Sequence, residues 1–441
     1  MLTACFIGFF VLVALCLVTG WSVAWALLGG LVLFWVYGRR QGFRNGELWA
    51  MAWEKCKKSL IVTVMIFLIG IMTGLWRGSG TIAFCIVRGM DLVTPRLFLL
   101  VAFLLCVLLS YVLGTSYGVC STMGVILMAL ARSGGVDPVL TAGVVLSGVY
   151  FGDRCSPASS AASLVAAVTE TDLYRNVRQM LRTGWLPTAL TAGIFAVLSV
   201  VNPITALDQT VLAALTDTFA LSWTALLPAA VMFLLPLAKV PIRLAMVISI
   251  AVSAVLAMAV QGFGPGEILR MAWSGYHTAD GALERVLGGG GVTSMTASYV
   301  IVTLAGLYSG LLEGTGALTP LRGQAEALAE KIGRFPAMTV VSVLCAGVLC
   351  NQAVTSMLSA QLLGGCYGDR EELAIDIENS GIMIAGLIPW SIACSIPLAM
   401  LGVGSGAIVY GVLLWITPLC YLATKRFFYP EKAGKRNRKR K

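Results

Sequence analysis

Histidine is almost missing from this 441-residue chain; His277 is the only one. Zinc centres and Ser–His catalysis are thereby left nearly without ligands or bases. Charge is scarce too: 12% of the residues are charged, against about 25% in ordinary soluble domains. No Cys-x-x-Cys pair occurs among the twelve cysteines, most of which sit inside apolar runs. They read as small buried hydrophobes rather than as a disulfide or metal framework. Cys56, flanked by Lys55, Lys57 and Lys58, is the one expected to be accessible and reactive. Met1-Leu-Thr-Ala-Cys5 lacks the basic n-region of a secretion signal, so the first apolar run is expected to be a retained span. The alternating strands of a membrane β-barrel are absent as well.

What the chain has instead is long apolar runs, at roughly 3–18, 22–37, 60–76, 97–113, 185–201, 223–238, 241–260, 297–312, 337–350 and 405–423, and 58% hydrophobic residues. Continuous runs of this length predict an all-α polytopic membrane protein. The net charge of +10 gathers at the C-terminal end, where Lys425, Arg426, Lys432, Lys435, Arg436, Arg438, Lys439, Arg440 and Lys441 face Glu431. A polybasic end after a last span reads as a cytoplasmic anchor touching anionic lipid rather than as a nucleic-acid arm. The stretch 38–59 carries six bases and is placed in the cytoplasm, whereas 202–221 carries Asp208 and Asp217 with no base and is placed outside. Both termini are then cytoplasmic, in a multi-pass protein of the cell membrane. The stretch 364–379, with five acids and one base, is placed inside against its charge, because acids count little in this rule.

The chain repeats itself. Gly46-Glu-Leu-Trp-Ala-Met-Ala-Trp53 returns as Gly266-Glu-Ile-Leu-Arg-Met-Ala-Trp273, and residues 69–80 return as 305–316 with all four glycines in place. Similar blocks in the same order predict a duplication, and the charge pattern requires an odd number of full spans per half, so the halves are antiparallel. The expected organisation is membrane repeat 1 over 1–201, an extracytoplasmic linker over 202–222, membrane repeat 2 over 223–424 and a cytoplasmic tail over 425–441. Each inverted-topology repeat is expected to hold about five transmembrane helices plus a re-entrant hairpin. The hairpins are placed at roughly 97–131, turning at 114–118, and 337–363, turning at Asn351-Gln352. Paired full spans remain the open alternative to re-entrant hairpins.

Chemistry concentrates where a span is interrupted. Residues 147–163 set Asp153, Arg154, Pro157 and the hydroxyls of Ser156, Ser159, Ser160 and Ser163 between two apolar half-helices, 139–149 and 161–168. A charge at the bilayer centre costs about 3 kcal/mol or more, and irregular backbone there survives only inside protein or beside a wet cavity. The matching interruption in the second half is 379–391, with Pro389-Trp390-Ser391. Broken helices offer carbonyls, hydroxyls and helix ends to an ion, or helix N-termini to an anion. The candidate ion- or substrate-binding residues are Asp153, Ser156, Ser159, Ser160, Thr115, Ser116, Asn351, Gln352, Thr355 and Ser391. Arg154 and Glu313 are candidates for coupling or clamping, Arg154 being equally readable as the salt-bridge partner of Asp153. Glu378 reads as a helix cap. Gly114-Thr-Ser-Tyr-Gly118 matches the hydrolase G-x-S-x-G pattern without its strand or histidine context, and 288–291 reads as a flexible loop.

The run Ser147-Gly-Val-Tyr-Phe-Gly-Asp153-Arg-Cys-Ser156-Pro157-Ala-Ser159, with Gly114-Thr115-Ser116-Tyr-Gly118 and Leu387-Ile388-Pro389-Trp390, resembles the NhaC-type Na+/H+ antiporters of the ion-transporter superfamily. The likeness extends from about residue 60 to 422 in the same order. It implies a secondary transporter of inverted repeats that exchanges sodium for protons; some relatives exchange organic acids. The family pattern continues with an Asp-Thr-Thr-like triplet after its Ser-Pro-x-Ser step, where this chain reads Ser160-Ala161-Ala162. The function expected is therefore NhaC-like Na+/H+ antiport by alternating access. The alternative is Na+- or H+-coupled transport of a small organic acid or amino acid. A channel, an intramembrane enzyme and a purely structural membrane protein are the other classes. The partners expected are the lipid bilayer and the transported ion or small solute, with no nucleic acid, no cofactor beyond Na+ and H+ as cargo, and a homodimer as an open assembly state.

Overall fold

In lipid only intra-helix bonding satisfies every backbone group, so apolar runs of this kind fold as helices. The computed structural model describes residues 2–19, 21–92, 95–204, 209–238, 240–317 and 321–429. Among the described residues there is no strand, only a lone bridge between Tyr276 and Gly289. The chain opens with α1 (Leu2–Thr19), α2 (Ala24–Arg40), the long α3 (Asn45–Gly78) and α4 (Thr81–Leu92). A hairpin follows: α5 (Phe98–Leu113), then α6 (Ser116–Val119), which runs through a π turn (Cys120–Gly124) into α7 (Val125–Ser133). Next come α8 (Pro138–Cys155), α9 (Ser160–Thr169), α10 (Leu173–Val201) and α11 (Gln209–Thr218). The second part contains α12 (Leu227–Leu237), α13 (Ile242–Ala259), α14 (Pro265–Ser274), α15 (Gly281–Leu287), α16 (Thr296–Gly314) and α17 (Arg322–Ile332). A second hairpin, α18 (Arg334–Leu349) and α19 (Gln352–Leu363), leads to α20 (Arg370–Ile377), a π turn (Glu378–Ile382) and α21 (Met383–Ala385). The described chain ends with α22 (Ile392–Leu401) and α23 (Val412–Phe428).

All ten apolar runs fall on helical structure. Among the described residues, Leu173–Val201, Ile242–Ala259 and Val292–Gly314 are long and apolar enough to cross a bilayer unbroken. Two helix pairs are long and apolar enough only together, and they bend by 64° between Thr63–Gly78 and Thr81–Arg88 and by 99° between Leu212–Thr218 and Trp223–Pro236, as a broken span or a re-entrant loop does. Large apolar side chains face outward as well as filling the core, and hydroxyls are buried between helices. On α13, Leu244, Val247, Val255 and Met258 face outward, while Ser249 and Ser253 are buried. Ser249 Oγ donates to Pro228 O at 2.9 Å and accepts from Trp76 Nε1 at 3.0 Å. Hydroxyls bonded between helices and hydrophobes facing out are the pattern of a bundle solvated by lipid.

The repeated Gly-Glu blocks have a local cause. The Glu47 carboxylate accepts from Arg44 N at 2.7 Å and the Glu267 carboxylate from Gly264 N at 2.8 Å, so each closes a helix N-terminus. The continuations differ: α3 runs on without a break, whereas α14 stops at Gly275 before the chain re-enters as α16.

Three sequence expectations change. Cys56 is 1% exposed and packs with Leu48, Ala52, Leu307 and Leu311, so its lysine neighbours do not make it accessible. Lys425 and Arg426 form the last turn of α23 rather than the start of a tail, and Lys425 is paired in the interior; residues 430–441 lie outside the described residues. The acids of 364–379 meet bases from other elements: Glu371 pairs with Arg175 and Glu372 with Arg334, both at 2.9 Å. Counting charges along one loop misses these partners.

Candidate functional site

Each hairpin turns through the same backbone device. α5 ends at Gly114 in the left-handed conformation (φ +65°), and Thr115 caps α6 by accepting from Gly118 N at 3.4 Å. α18 ends at Cys350, also left-handed (φ +57°), and Asn351 caps α19 by accepting from Ala353 N at 3.0 Å and Val354 N at 3.3 Å. Glycine at 114 is required twice over, since a Cβ there would lie 2.4 Å from the Ala158 carbonyl carbon. That close approach seats the first hairpin tip on the first helix break. The second tip is seated on the second break by Ile392 N donating to Cys350 O at 2.9 Å and Trp390 Nε1 donating to Gly347 O at 2.6 Å.

The breaks themselves are short. Asp153 and Arg154 are still helical, in the last turn of α8, and the interruption is confined to 156–159. Ser159 stitches it closed: its hydroxyl donates to Asp153 O at 2.5 Å and accepts from Ala161 N and Ala162 N, capping α9. Ser156 Oγ accepts from Ala158 N at 3.1 Å. In the second half Ser391 caps α22, accepting from Ala393 N at 3.3 Å.

Asp153 stands where these parts meet. It is 9% exposed; one carboxylate oxygen accepts from Ser116 N at 3.0 Å and the other from Ser116 Oγ at 2.8 Å. The side-chain amide of Gln352, at the other hairpin tip, favours the charged form of this carboxylate, and donates to Ile382 O at 3.3 Å. The halves are further tied by Tyr150 Oη donating to Ala393 O at 2.7 Å and Tyr117 Oη donating to Ile392 O at 3.4 Å. Gly152 allows this packing, since a Cβ there would fall 2.0 Å from Ser110 O.

Several candidates are placed differently from expectation. Arg154 does not pair with Asp153: it turns toward α10, donating to Met180 O at 3.0 Å and Thr183 Oγ1 at 2.8 Å. Ser160 is exposed, on the first turn of α9. Glu313, at the end of α16, is exposed and lines a separate cavity of about 390 Å³ with Arg322, Val354 and Met357. Ser116 and His277 do not meet, since His277 is engaged by Glu284 and Ser274 O. Thr355 is fully buried and its hydroxyl has no partner.

Sequence reading misplaced one residue altogether. The Glu378 side chain does not cap the helix that follows; the residue ends α20 and opens the π turn, is fully buried, and neither carboxylate oxygen has a hydrogen-bond partner. Its nearest charges are Arg154 and Asp153. Asn379 Oδ1 and Ser359 Oγ, on the packed elements, are likewise buried without partners. The available signal was an acid followed by Asn379-Ser380-Gly381 within an otherwise apolar stretch, the same signal that singled out Asp153. The centre therefore offers two buried carboxylates, an amide and hydroxyls, all oxygen donors suited to a hard monovalent cation or a proton.

In sequence the chain is similar to known antiporters. The chain is 27% identical over 395 residues to the Na(+)/H(+) antiporter NhaC of Bacillus subtilis, covering 84% of this chain and 87% of that protein. It is 26% identical over 365 residues to a malate-2H(+)/Na(+)-lactate antiporter of the same organism, covering 80% and 78%. The arginine/ornithine antiporter ArcD of Halobacterium salinarum is 25% identical over 382 residues, covering 83% and 78%. The profile of the Na+/H+ antiporter family matches residues 148–424, which contain both helix breaks, the second hairpin, Asp153 and Glu378, and the chain belongs to that family.

Proposed function

We propose that this chain exchanges Na+ for H+ across the cell membrane by alternating access, in the manner of the NhaC-type antiporters. The observation that carries the reading is the Asp153 carboxylate, buried at a helix break and held by the backbone and hydroxyl of Ser116 from the hairpin tip. A carboxylate in such a place holds either a sodium ion or a proton, and that competition is the least an exchanger needs. Beside Ser116, the residues proposed to supply hydroxyl, amide and carbonyl oxygens to the cargo are Ser156, Ser159, Thr115, Asn351, Gln352, Thr355 and Ser391, with Glu378 as a second acid. Cargo on Asp153 changes the charge at a junction made of two hairpin tips and two helix breaks, and so biases which face opens. The paired hairpin-plus-break units fit inverted repeats meeting at the site, with re-entrant tips and both termini in the cytoplasm.

A second reading is supported by the malate/lactate relative and by the apolar Ala161-Ala162 where the family carries a polar triplet. In it the ion gradient drives a small organic acid through the same centre.

The test is purified protein in proteoliposomes with an imposed Na+ gradient, reading lumenal pH. Wild type moves protons against Na+, and Asp153→Asn, which keeps the acceptor for Ser116 N while removing the charge, abolishes that movement. If Na+ never moves protons in wild-type vesicles, the antiport reading is lost.

A further inference from the structure

A second polar cavity, of about 270 Å³, lies away from Asp153 at the far ends of α7 and α22. Both helices lead to it from the centre: α7 continues the hairpin arm that begins at Ser116, and α22 begins at the second break. Ten residues of α22 put it about 15 Å from Ser391. Its rim belongs to the face of the 202–222 linker, because Gln261 bridges Ser79 O and Ala220 N, and Gly134 packs on Ile204.

Arg77 and Arg132 line this cavity, with Thr73, Ser294 and the backbone of Gly288-Gly289-Gly290. Arg77 donates to Thr73 O at 3.0 Å, and Arg132 to Leu401 O at 3.2 Å and Gly402 O at 3.3 Å at the carbonyl end of α22. These bonds orient the guanidiniums without neutralising them. Among the described residues no carboxylate lies within ion-pairing distance of either, and the charge each adds to the other's surroundings is of like sign. Glu284, one turn before Gly288, is held by His277 and by Thr278 N. Glycine at 290 is needed for the approach, since a Cβ there would stand 2.7 Å from Arg77 Nη1.

Two half-buried guanidiniums facing one cavity repel each other and repel cations entering by this route, whereas a small anion between them removes both penalties. Arginine presents paired N–H groups that match a carboxylate. We propose that this cavity is a binding vestibule for a small dicarboxylate, held by Arg77 and Arg132 on the linker face of the transporter. It rests on the transporter reading and deepens its organic-acid form. A cationic amino acid is disfavoured on this face.

The test uses the full chain in lipid nanodiscs with succinate as probe and lysine as the cationic comparator, measured by titration calorimetry at fixed ionic strength. Wild type binds succinate and not lysine. Arg77→Gln and Arg132→Gln each weaken succinate at least about tenfold, and Arg132→Lys retains part of the affinity. In wild type alone, succinate protects the Arg77 and Arg132 peptides from phenylglyoxal, read by mass spectrometry, so an unstable variant does not stop the test. No succinate binding by wild type, unchanged affinity in monodisperse Gln variants, or absence of protection overturns the vestibule. Succinate binding that persists in protein whose vesicles show no Na+-driven proton movement retains the vestibule and rejects only the antiport reading.

Discussion

Asp376 and Glu378 stand two residues apart on one helical stretch, both fully buried, in opposite circumstances. About 200° of helical rotation separates them, so they face different neighbours. Asp376 accepts from Tyr367 Oη at 2.6 Å and Tyr421 Oη at 3.0 Å and pairs with Lys425, which also meets Glu372 at 2.8 Å. Arg334 completes that cluster through Glu372 at 2.9 Å. Glu378 has no hydrogen-bond partner, and the Arg154 guanidinium, which acts on its charge, bonds α10 and Cys155 Sγ and leaves its own Nε unpartnered. A saturated network ties α18, α20 and α23 into one body. Glu378, by contrast, adds no hydrogen bond that ties one element to another. Burial alone does not mark a functional acid, and a buried carboxylate without partners is the one to test.

The largest way to break this contrast is Lys425→Ala. It leaves the buried Asp376 without a cation, while Glu372 keeps Arg334, and breaking a buried pair costs about 3–5 kcal/mol, so the thermal midpoint in detergent falls steeply. Glu378→Gln carries the opposite sign. It removes a buried charge with no hydrogen bond to lose, so the midpoint holds or rises while Na+-driven proton movement in vesicles falls. A loss of stability matching that of Lys425→Ala would show that Glu378 is a structural acid like Asp376. The smallest effect belongs to the exposed pair of His277 and Glu284, 2.7 Å apart. The hydrogen bond that the protonated ring donates to Glu284 raises the His277 pKa above its usual value. The stabilisation is therefore full below about pH 6.5 and fades as pH climbs through the raised value. His277→Ala speeds hydrogen exchange in residues 276–291 at about pH 6 and matches wild type at about pH 9, where the wild-type ring is neutral.

The turn chemistry was readable in advance. Asp137 before Pro138, Asp172, Asp369 and Ser391 each cap the helix that follows, from residues alone. The first hairpin turns at Gly114-Thr115, within the 114–118 stretch expected; the second turns at Cys350-Asn351, one residue before the step expected. Asp153 was visible as an acid in an apolar run. Arg154 was not placeable, because its direction depends on the space left by Gly184, where a Cβ would lie 2.6 Å from its Nη1. The same limit hid Cys56, whose burial is set by α16 and not by its lysine neighbours.

The sequence by itself determined what is local: which stretches are helical, where they start and stop, and that an acid interrupts an apolar span. Period, capping chemistry and hydropathy act over a few residues and need no partner. Only the tertiary structure decided which polar groups are satisfied. It brought the tip of the second hairpin to the break of the first half, left Glu378 alone while it saturated Asp376, and faced Arg77 with Arg132 across a cavity. Hydrogen bonds and charges are satisfied by neighbours in space, and those neighbours come from helices hundreds of residues apart in the chain.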